Sequence, residues 1–365
     1  MTRLARATVD LGALRHNLAV ARQAAPSARV IAVLKANGYG HGLLQVAAAL
    51  AQADAFAVSC MAEASRLRLA GYRHRIILLA GYFEPDELPL FDRYALDPVI
   101  HAEWQLAPLE RSTLQRPLDV WLKVDTGMHR LGFPAGQVCE VYQRLRSMPS
   151  VASVRFMTHL ARADNRRDPT TRMQLETFEA ACQGLSGERS IANSAATLAW
   201  RQTHAQWVRP GIMLYGCSPF IDGLESPALW PVQTLEARLV AVNYHRRGDL
   251  IGYGGIYACP EAMPVGVVSV GYGDGYPRHA PSGTPLLVAG REVSLVGRVS
   301  MDMLSVDLRS APNAQVGDLV VLWGESLPVG RVAEQCGTIA YELLCKLTSR
   351  VQFRYVNRPT NMRET

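Results

Sequence analysis

Eight short apolar runs, alternating with amphipathic segments over the first 230 or so residues, constrain the fold of this chain more than any other feature. The runs lie at residues 30–34, 55–59, 76–80, 96–100, 120–124, 154–158, 190–193 and 212–215, and they read as buried strands. Between them, segments such as 11–25, 43–53, 62–70, 138–148 and 171–182 have the pattern of amphipathic helices. Strands that alternate with helices in this way build a parallel sheet. Eight of them point to a closed (β/α)8 barrel of the TIM type rather than an open sheet. Such a barrel carries its chemistry at the C-terminal ends of its strands.

The texture changes after Pro231. Residues 236–243, 266–270, 285–288, 292–296, 304–308 and 319–323 form short runs, many of them β-branched, punctuated by glycine-containing turns. That pattern belongs to a mostly antiparallel β domain. Two domains are therefore expected, a barrel over residues 1–230 and a β domain over 231–365, as the length of 365 residues also suggests. Residues 357–365 read as a polar, frayed tail.

The first barrel strand runs straight into a lysine. In residues 31–42, IAVLKANGYGHG, an apolar run ends at Lys35 and breaks into Gly38, Gly40 and Gly42. An amine at the end of a buried strand is poorly solvated, which lowers its pKa. A neutral amine can attack an aldehyde. Composition sharpens the point, because 35 of the 38 basic residues are Arg and only Lys35, Lys123 and Lys346 are Lys. Arg cannot stand in for an amine that must lose its proton.

Other strand ends and turns carry chemically capable side chains, each with an ordinary reading beside it. Lys123 and Asp125 in KVDTGMHRLG would pass for a surface pair, with Arg130 in the loop after them. His159 alone would be a satisfied core histidine, and Ser194 in ANSAAT an N-cap that could also donate to an anion at a helix start. Arg209, Gly211 and Ile212 follow in RPGI. In the second domain Tyr253 sits in GYGG, Tyr276 in GYGDGYPR, Met301 and Asp302 in SMDM, and Tyr341 in YEL. GYGDGYPR does not fit the G-x-G-x-x-G spacing and follows no βα pattern, so it is not a nucleotide loop.

Taken together, these segments resemble the alanine racemase family, with Gly38 and Gly273 standing where that family usually has Ala. The likeness runs from residue 31 to 341 and through both halves of the chain. It implies that Lys35 holds pyridoxal 5'-phosphate as a Schiff base and that Tyr39, Ser194, Gly211, Ile212 and Tyr341 reach its phosphate. It places Arg209 opposite the pyridine nitrogen and His159 in the supporting hydrogen-bond network. Lys35 and Tyr253 become the two bases on opposite faces, with Tyr253 arriving from the other subunit of a homodimer. Arg130, Met301, Asp302 and Tyr276 become substrate-binding residues, with Tyr276 near the entry and Met301 and Asp302 across the dimer interface. The resemblance also points to carbamylation of Lys123, turning a cation into an anion that orients Arg130.

The role of Arg209 has a chemical reason. Arg has donors only and stays protonated, so it hydrogen-bonds an unprotonated ring nitrogen. The ring is then a weaker electron sink, which favours return of a proton over transamination. The resulting expectation is an alanine racemase that interconverts L- and D-alanine through the cofactor's aldimine by a Lys/Tyr two-base mechanism. The chemistry is the same for D-alanine biosynthesis, as for a cell wall, and for alanine breakdown. Alternatives are a serine or broad-specificity racemase or a decarboxylase on the same fold, and, in another class, a pyridoxal phosphate carrier without turnover. The racemase-like segments disfavour the decarboxylase, and the 130-odd residues after Pro231 disfavour the carrier.

The remaining bulk properties mark out what to set aside. A net charge of +6 comes from Arg spread along the whole chain without a dense run, which argues against nucleic acid and fits a mildly basic surface or a site that takes an anionic ligand. No run approaches the roughly 18 apolar residues of a membrane span. The N-terminus lacks the apolar core of a secretory signal, so a cytoplasmic location is expected. The seven Cys are scattered without metal or disulfide spacing and read as reduced thiols; no metal is expected.

Overall fold

The computed structural model describes residues 4–221 and 229–358. Eight parallel strands form the first sheet: Arg29–Val33, Ala55–Val58, Arg75–Leu78, Leu96–Ile100, Leu118–Asp125, Val151–Met157, Arg189–Ser190 and Trp207–Val208. The eighth pairs with the first, Trp207 opposite Arg29 and Val208 opposite Val30, so the sheet closes into a barrel. A two-residue strand, Phe133–Pro134, is appended to the fifth.

Helices cover the barrel's outside. Leu11–Ala24 shows why they do so: Ala13, Leu14, Leu18 and Ala21 are buried at helical spacing, giving one apolar stripe. Asp10 caps it, its Oδ1 accepting from Gly12 N at 2.8 Å and Ala13 N at 3.3 Å. From the same helix Asn17 donates to Leu214 O and Trp230 O and accepts from Trp230 N. This fastens the helix to the chain leaving the barrel.

The second sheet has eight strands, in the order Met263–Val268, Leu304–Asp307, Arg291–Val296, Pro285–Val288, Leu319–Trp323, Gln233–His245, Arg6–Asp10 and Gln352–Val356. Gln233–His245 also pairs with Met263–Val268, so six of the strands close on themselves. All pairs are antiparallel except the last, where Arg6–Asp10 runs parallel to Gln352–Val356. Among the described residues no helix is long and apolar enough to cross a membrane.

Three features depart from the sequence reading. Residues 212–215, expected as the eighth strand, form the 3-10 turn Ile212–Tyr215; the strand is the pair Trp207–Val208 just before it. The apolar run at 212–215 reflects complete burial, not extension. Residues 6–10 and 352–356 are strands that local patterning did not single out, and the first of them lies in the second sheet rather than the barrel. Of the polar tail, only Asn357 and Arg358 are described, and Arg358 N donates to Asp10 Oδ1 at 3.4 Å; residues 359–365 lie outside the described residues.

Candidate active site

The first strand delivers Lys35 to the barrel's C-terminal end, and the backbone then reverses hand. Ala36, Asn37, Gly38, Tyr39 and Gly40 have φ of 54°, 54°, 64°, 51° and 79°. For a residue with a Cβ this conformation costs roughly 1–2 kcal/mol, so Ala36, Asn37 and Tyr39 must be held by their surroundings. Gly38 N donates to Leu34 O at 2.7 Å, Gly40 N to Ala36 O at 2.9 Å and Gly42 N to Asn37 O at 2.9 Å. The Asn37 side chain accepts from Leu43 N at 3.0 Å. His41, fully buried, donates from Nδ1 to Tyr39 O at 2.7 Å. Gly40 is required by a close approach: a Cβ there would lie 2.1 Å from Leu344 O of the helix Ala340–Cys345. That packing sets the Tyr341 ring 6.0 Å from Tyr39, which in turn stacks on Tyr215 at 4.5 Å.

Around Lys35 the strand ends collect cations. Burial, then the guanidiniums of Arg130 and Arg209, push the Lys35 amine below its ordinary pKa. Lys123, on the fifth strand and only 7% exposed, falls to about 7 through burial and then through Arg209, Arg130 and Lys35. Arg209, just beyond the eighth strand, is buried, and its donors reach Ser190 Oγ at 2.6 Å, Thr158 O at 2.6 Å and His159 Nδ1 at 3.4 Å. Every one of these acceptors is neutral. Burial lowers even this guanidinium to about 10. His159 is held neutral by burial and by the neighbouring Arg209, and its Nδ1 offers Arg209 a lone pair. Arg130 is exposed in the loop after Asp125, whose Oδ1 accepts the N–H groups of Gly127, Met128 and His129. None of Lys35, Lys123, Arg130 and Arg209 forms an ion pair among the described residues.

Opposite the Lys35 turn, Ser194 begins the six-residue helix Ser194–Ala199, which Asn193 caps by accepting from Ala196 N. Ser194 Oγ accepts from Gly211 N at 2.8 Å and Met213 N at 3.4 Å, tying this segment to the one that holds Ile212. A Cβ on Gly211 would stand 2.5 Å from the Tyr39 hydroxyl oxygen, so glycine alone lets Tyr39 reach here. Lys35, Tyr39, Lys123, Arg130, His159, Ser194, Arg209, Gly211, Ile212 and Tyr341 thus share one end of the barrel or pack against it.

The other expected site residues lie on the second domain. Tyr253, in a 3-10 turn, is 69% exposed, and among the described residues it makes no hydrogen bond with the Lys35 turn. Met301 is half exposed, and Asp302 hydrogen-bonds Arg350. Tyr276 is a correction. It is fully buried, with its ring stacked on Trp323 at 6.2 Å, because in GYGDGYPR the second tyrosine turns into the domain core. The tyrosine of that segment that meets solvent is Tyr272.

Sequence reasoning missed three residues of this region. Tyr215 backs Tyr39 and donates to Val33 O at 2.9 Å; its place in a run read as a strand hid it. His41 and Glu63 hold the Lys35 turn from either side. Glu63 carried only the signal of a glutamate in the first turn of a helix.

Such a cluster is built for an anionic, hydrogen-bond-accepting group that also carries an electrophilic carbon. Buried donors without carboxylate partners are costly unless a ligand completes them, and a lysine beside them whose pKa is lowered gives up its proton more readily to become a nucleophile. Ser194, Gly211 and Tyr39 could hold an anionic group, Lys35 could take up an electrophilic carbon and Arg209 could donate to a further acceptor.

Comparison with known proteins follows the same lines. Residues 9–219 match the family model described as the alanine racemase N-terminal domain, and residues 232–355 the C-terminal domain model. The alanine racemase of Halorhodospira halophila is 56% identical over 363 residues, covering 99% of this chain and 100% of that protein. That of Coxiella burnetii is 49% identical over 356 residues, with 96% and 98% covered. The crystal structure of the biosynthetic alanine racemase from Pseudomonas aeruginosa superposes with a TM-score of 0.95 at 47% identity, covering 98% of this chain and 100% of that one.

Proposed function

The chain belongs to the alanine racemase family and its reaction is the interconversion of L- and D-alanine; from this premise we propose that it works with pyridoxal 5'-phosphate held on Lys35, and with Tyr253 of the partner subunit as its second base. One observation carries this reading. Arg209 is a buried guanidinium whose bonds all go to neutral acceptors, beside a lysine whose amine is pushed toward neutrality.

When bound, pyridoxal phosphate supplies an aldehyde carbon that takes up an amine and a ring that draws electrons from the Cα–H bond. The chain's residues do the rest. Lys35, its proton loosely held, would hold the group's aldehyde carbon, and as a free amine it would accept or return a proton at the substrate Cα. Tyr39, Ser194 and the Gly211 and Ile212 segment hold the phosphate, with Tyr341 packed beside Tyr39. Arg209 would donate to the ring nitrogen without giving up its proton, which would limit transamination. Arg130, oriented by a carbamylated Lys123, holds the substrate carboxylate. An amine near 7 supports that modification, because only a neutral nitrogen adds carbon dioxide.

Inversion needs a proton to leave one face of Cα and another to arrive on the opposite face, so one base is not enough. Tyr253 projects from a glycine-rich turn with Leu250 and Ile256 exposed next to it, and Met301 and Met303 are also exposed on this domain. Exposed apolar residues around a projecting tyrosine support a homodimer that completes each site with its partner's Tyr253, Met301 and Asp302.

Circular dichroism of L-alanine mixed with the cofactor-loaded protein tests the proposal, with L-serine run in parallel. The alanine signal should decay to zero, faster than serine, and Lys35→Ala and Tyr253→Phe should each suppress the decay. Mixing these two variants should restore activity, since one heterodimer site then holds both bases. An active Lys35→Ala enzyme, or no recovery in the mixture, would overturn the assignment of the bases or of the shared site respectively.

A further inference from the structure

The left-handed turn after Lys35 is a conformation that persists only where neighbours over-determine it. One of those neighbours has no role in the reading above. Glu63 stands in the first turn of the helix Met61–Leu69, just after the second barrel strand. A glutamate there ordinarily folds back onto the start of its own helix, and one oxygen does this: Oε2 accepts from Ser59 N at 3.2 Å. The other crosses to a different element. Oε1 accepts from Asn37 N at 2.9 Å, two residues beyond Lys35 and inside the reversed turn. Capping the helix does not require that second bond.

We propose that Glu63 is a positioning residue for racemisation, whose carboxylate ties the turn after Lys35 to the end of the second barrel strand and so fixes where the Lys35 amine points. The proposal rests on the reading of Lys35 given above. The Asn37 side chain is committed forward, to Leu43 N at 3.0 Å. His41 holds the far end of the turn through Tyr39 O. The near end, next to Lys35, is held through Asn37 N, and Glu63 is the group that takes it. The Glu63 charge also opposes the burial and guanidiniums that drive the Lys35 pKa down. Displacing a reacting group by about 1 Å costs on the order of 100-fold in rate, so a loosened tether registers in kcat.

Glu63→Asp separates the two bonds. Aspartate keeps the charge and can still serve its own helix, but it is one methylene too short to span to Asn37. We expect the loaded Glu63→Asp enzyme to lose about tenfold or more in kcat, with KM for alanine within about threefold of the parent. Amide hydrogen exchange over residues 36–42 should accelerate while that of residues 61–69 stays as it was. Glu63→Gln, which keeps an oxygen for Asn37 N, should recover most of the kcat. Parental kcat and exchange in Glu63→Asp would overturn the tether. So would an equal loss in Glu63→Gln, which would assign the effect to charge, or faster exchange throughout the barrel, which would make Glu63 a fold residue only. Lys35→Ala is the control: activity in that variant overturns the Lys35 reading, whereas the exchange measurement judges the tether independently.

Discussion

The two ends of the barrel are both rich in cations and treat them in opposite ways. Toward the N-terminal end, Arg75 pairs with Asp97 and Asp119, Arg155 with Asp119 at 3.4 Å and Glu188 at 3.1 Å, and Arg29 with Glu188. Indole groups complete the network, Trp121 Nε1 donating to Asp97 and Trp207 Nε1 to Glu188. At the C-terminal end Arg209 donates to a hydroxyl, a carbonyl and an imidazole, Lys35 and Lys123 lie under the influence of the Arg130 and Arg209 guanidiniums, and the acidic residue nearest Lys123 in sequence, Asp125, is occupied by its own turn. A charge that comes with its partner is a part of the fold. A charge left without one, at a place where removing it from water is expensive, is a standing demand for a ligand.

The contrast can be broken from both sides, and this is where the largest effects are expected. Asp97→Ala strips Arg75 of its more buried partner, leaving it Asp119, and takes away the acceptor of Trp121 Nε1; it should cost about 1–3 kcal/mol of unfolding free energy, read from denaturant titration, while the folded fraction racemises alanine at the parental rate. Arg209→Met should do the reverse. It removes a buried cation that nothing in the chain neutralises, so the cofactor-free protein should be as stable or more so. Racemisation should fall on the order of 100-fold or more, as when a preorganised donor is removed from a reacting group. If Arg209→Met unfolded as readily as Asp97→Ala, the two ends would be alike and the contrast would fail.

A smaller effect sharpens the contrast at Lys123. Its amine is lowered to about 7, below the value of about 10.4 in an unfolded chain. Between those values the unfolded chain binds the extra proton, so this group makes the folded state gain stability as pH rises from about 7 toward 10. The same shift governs carbamylation. Labelling with 13C-bicarbonate should give a carbamate carbon signal at pH 8, weaken as pH falls below about 7, and be absent in Lys123→Met. A signal unchanged in that variant would place the label elsewhere and leave Lys123 a plain buried amine.

Much of this was legible in the residues. A lysine kept at a strand end in an arginine-rich chain, and donors-only chemistry at Arg209, are local facts that survive folding unchanged. The barrel was legible for the same reason, since seven of its strands are runs that periodicity detects. The eighth was not: Trp207–Val208 is two residues long, and the fully buried turn Ile212–Tyr215 presents the same apolar signal as a buried strand. Nor could patterning show that residues 6–10 pair with residues 352–356, because that register is set by partners at the far end of the chain. Glu63 escaped because its decisive bond spans 26 residues.

Tyr276 is the smallest test and decides what an unpaired polar atom means. Its hydroxyl is buried with no hydrogen-bond partner among the described residues, as if it too awaited a ligand. The barrel ends differ from Tyr276 in charge. An unpaired guanidinium carries a full charge out of water, whereas an unpaired hydroxyl loses about one hydrogen bond, on the order of 1–3 kcal/mol, which packing can absorb. Tyr276 has that packing, lying flat on Trp323, whose own indole nitrogen donates to Gln233 at 3.1 Å. Tyr276→Phe should therefore leave the racemisation rate unchanged and hold or raise stability by up to about 1 kcal/mol, as judged by paired rate and unfolding measurements. A tenfold loss of rate at unchanged stability would mean that the hydroxyl reaches substrate in the assembled enzyme, and that burial without a partner marks a site here whether or not the atom is charged.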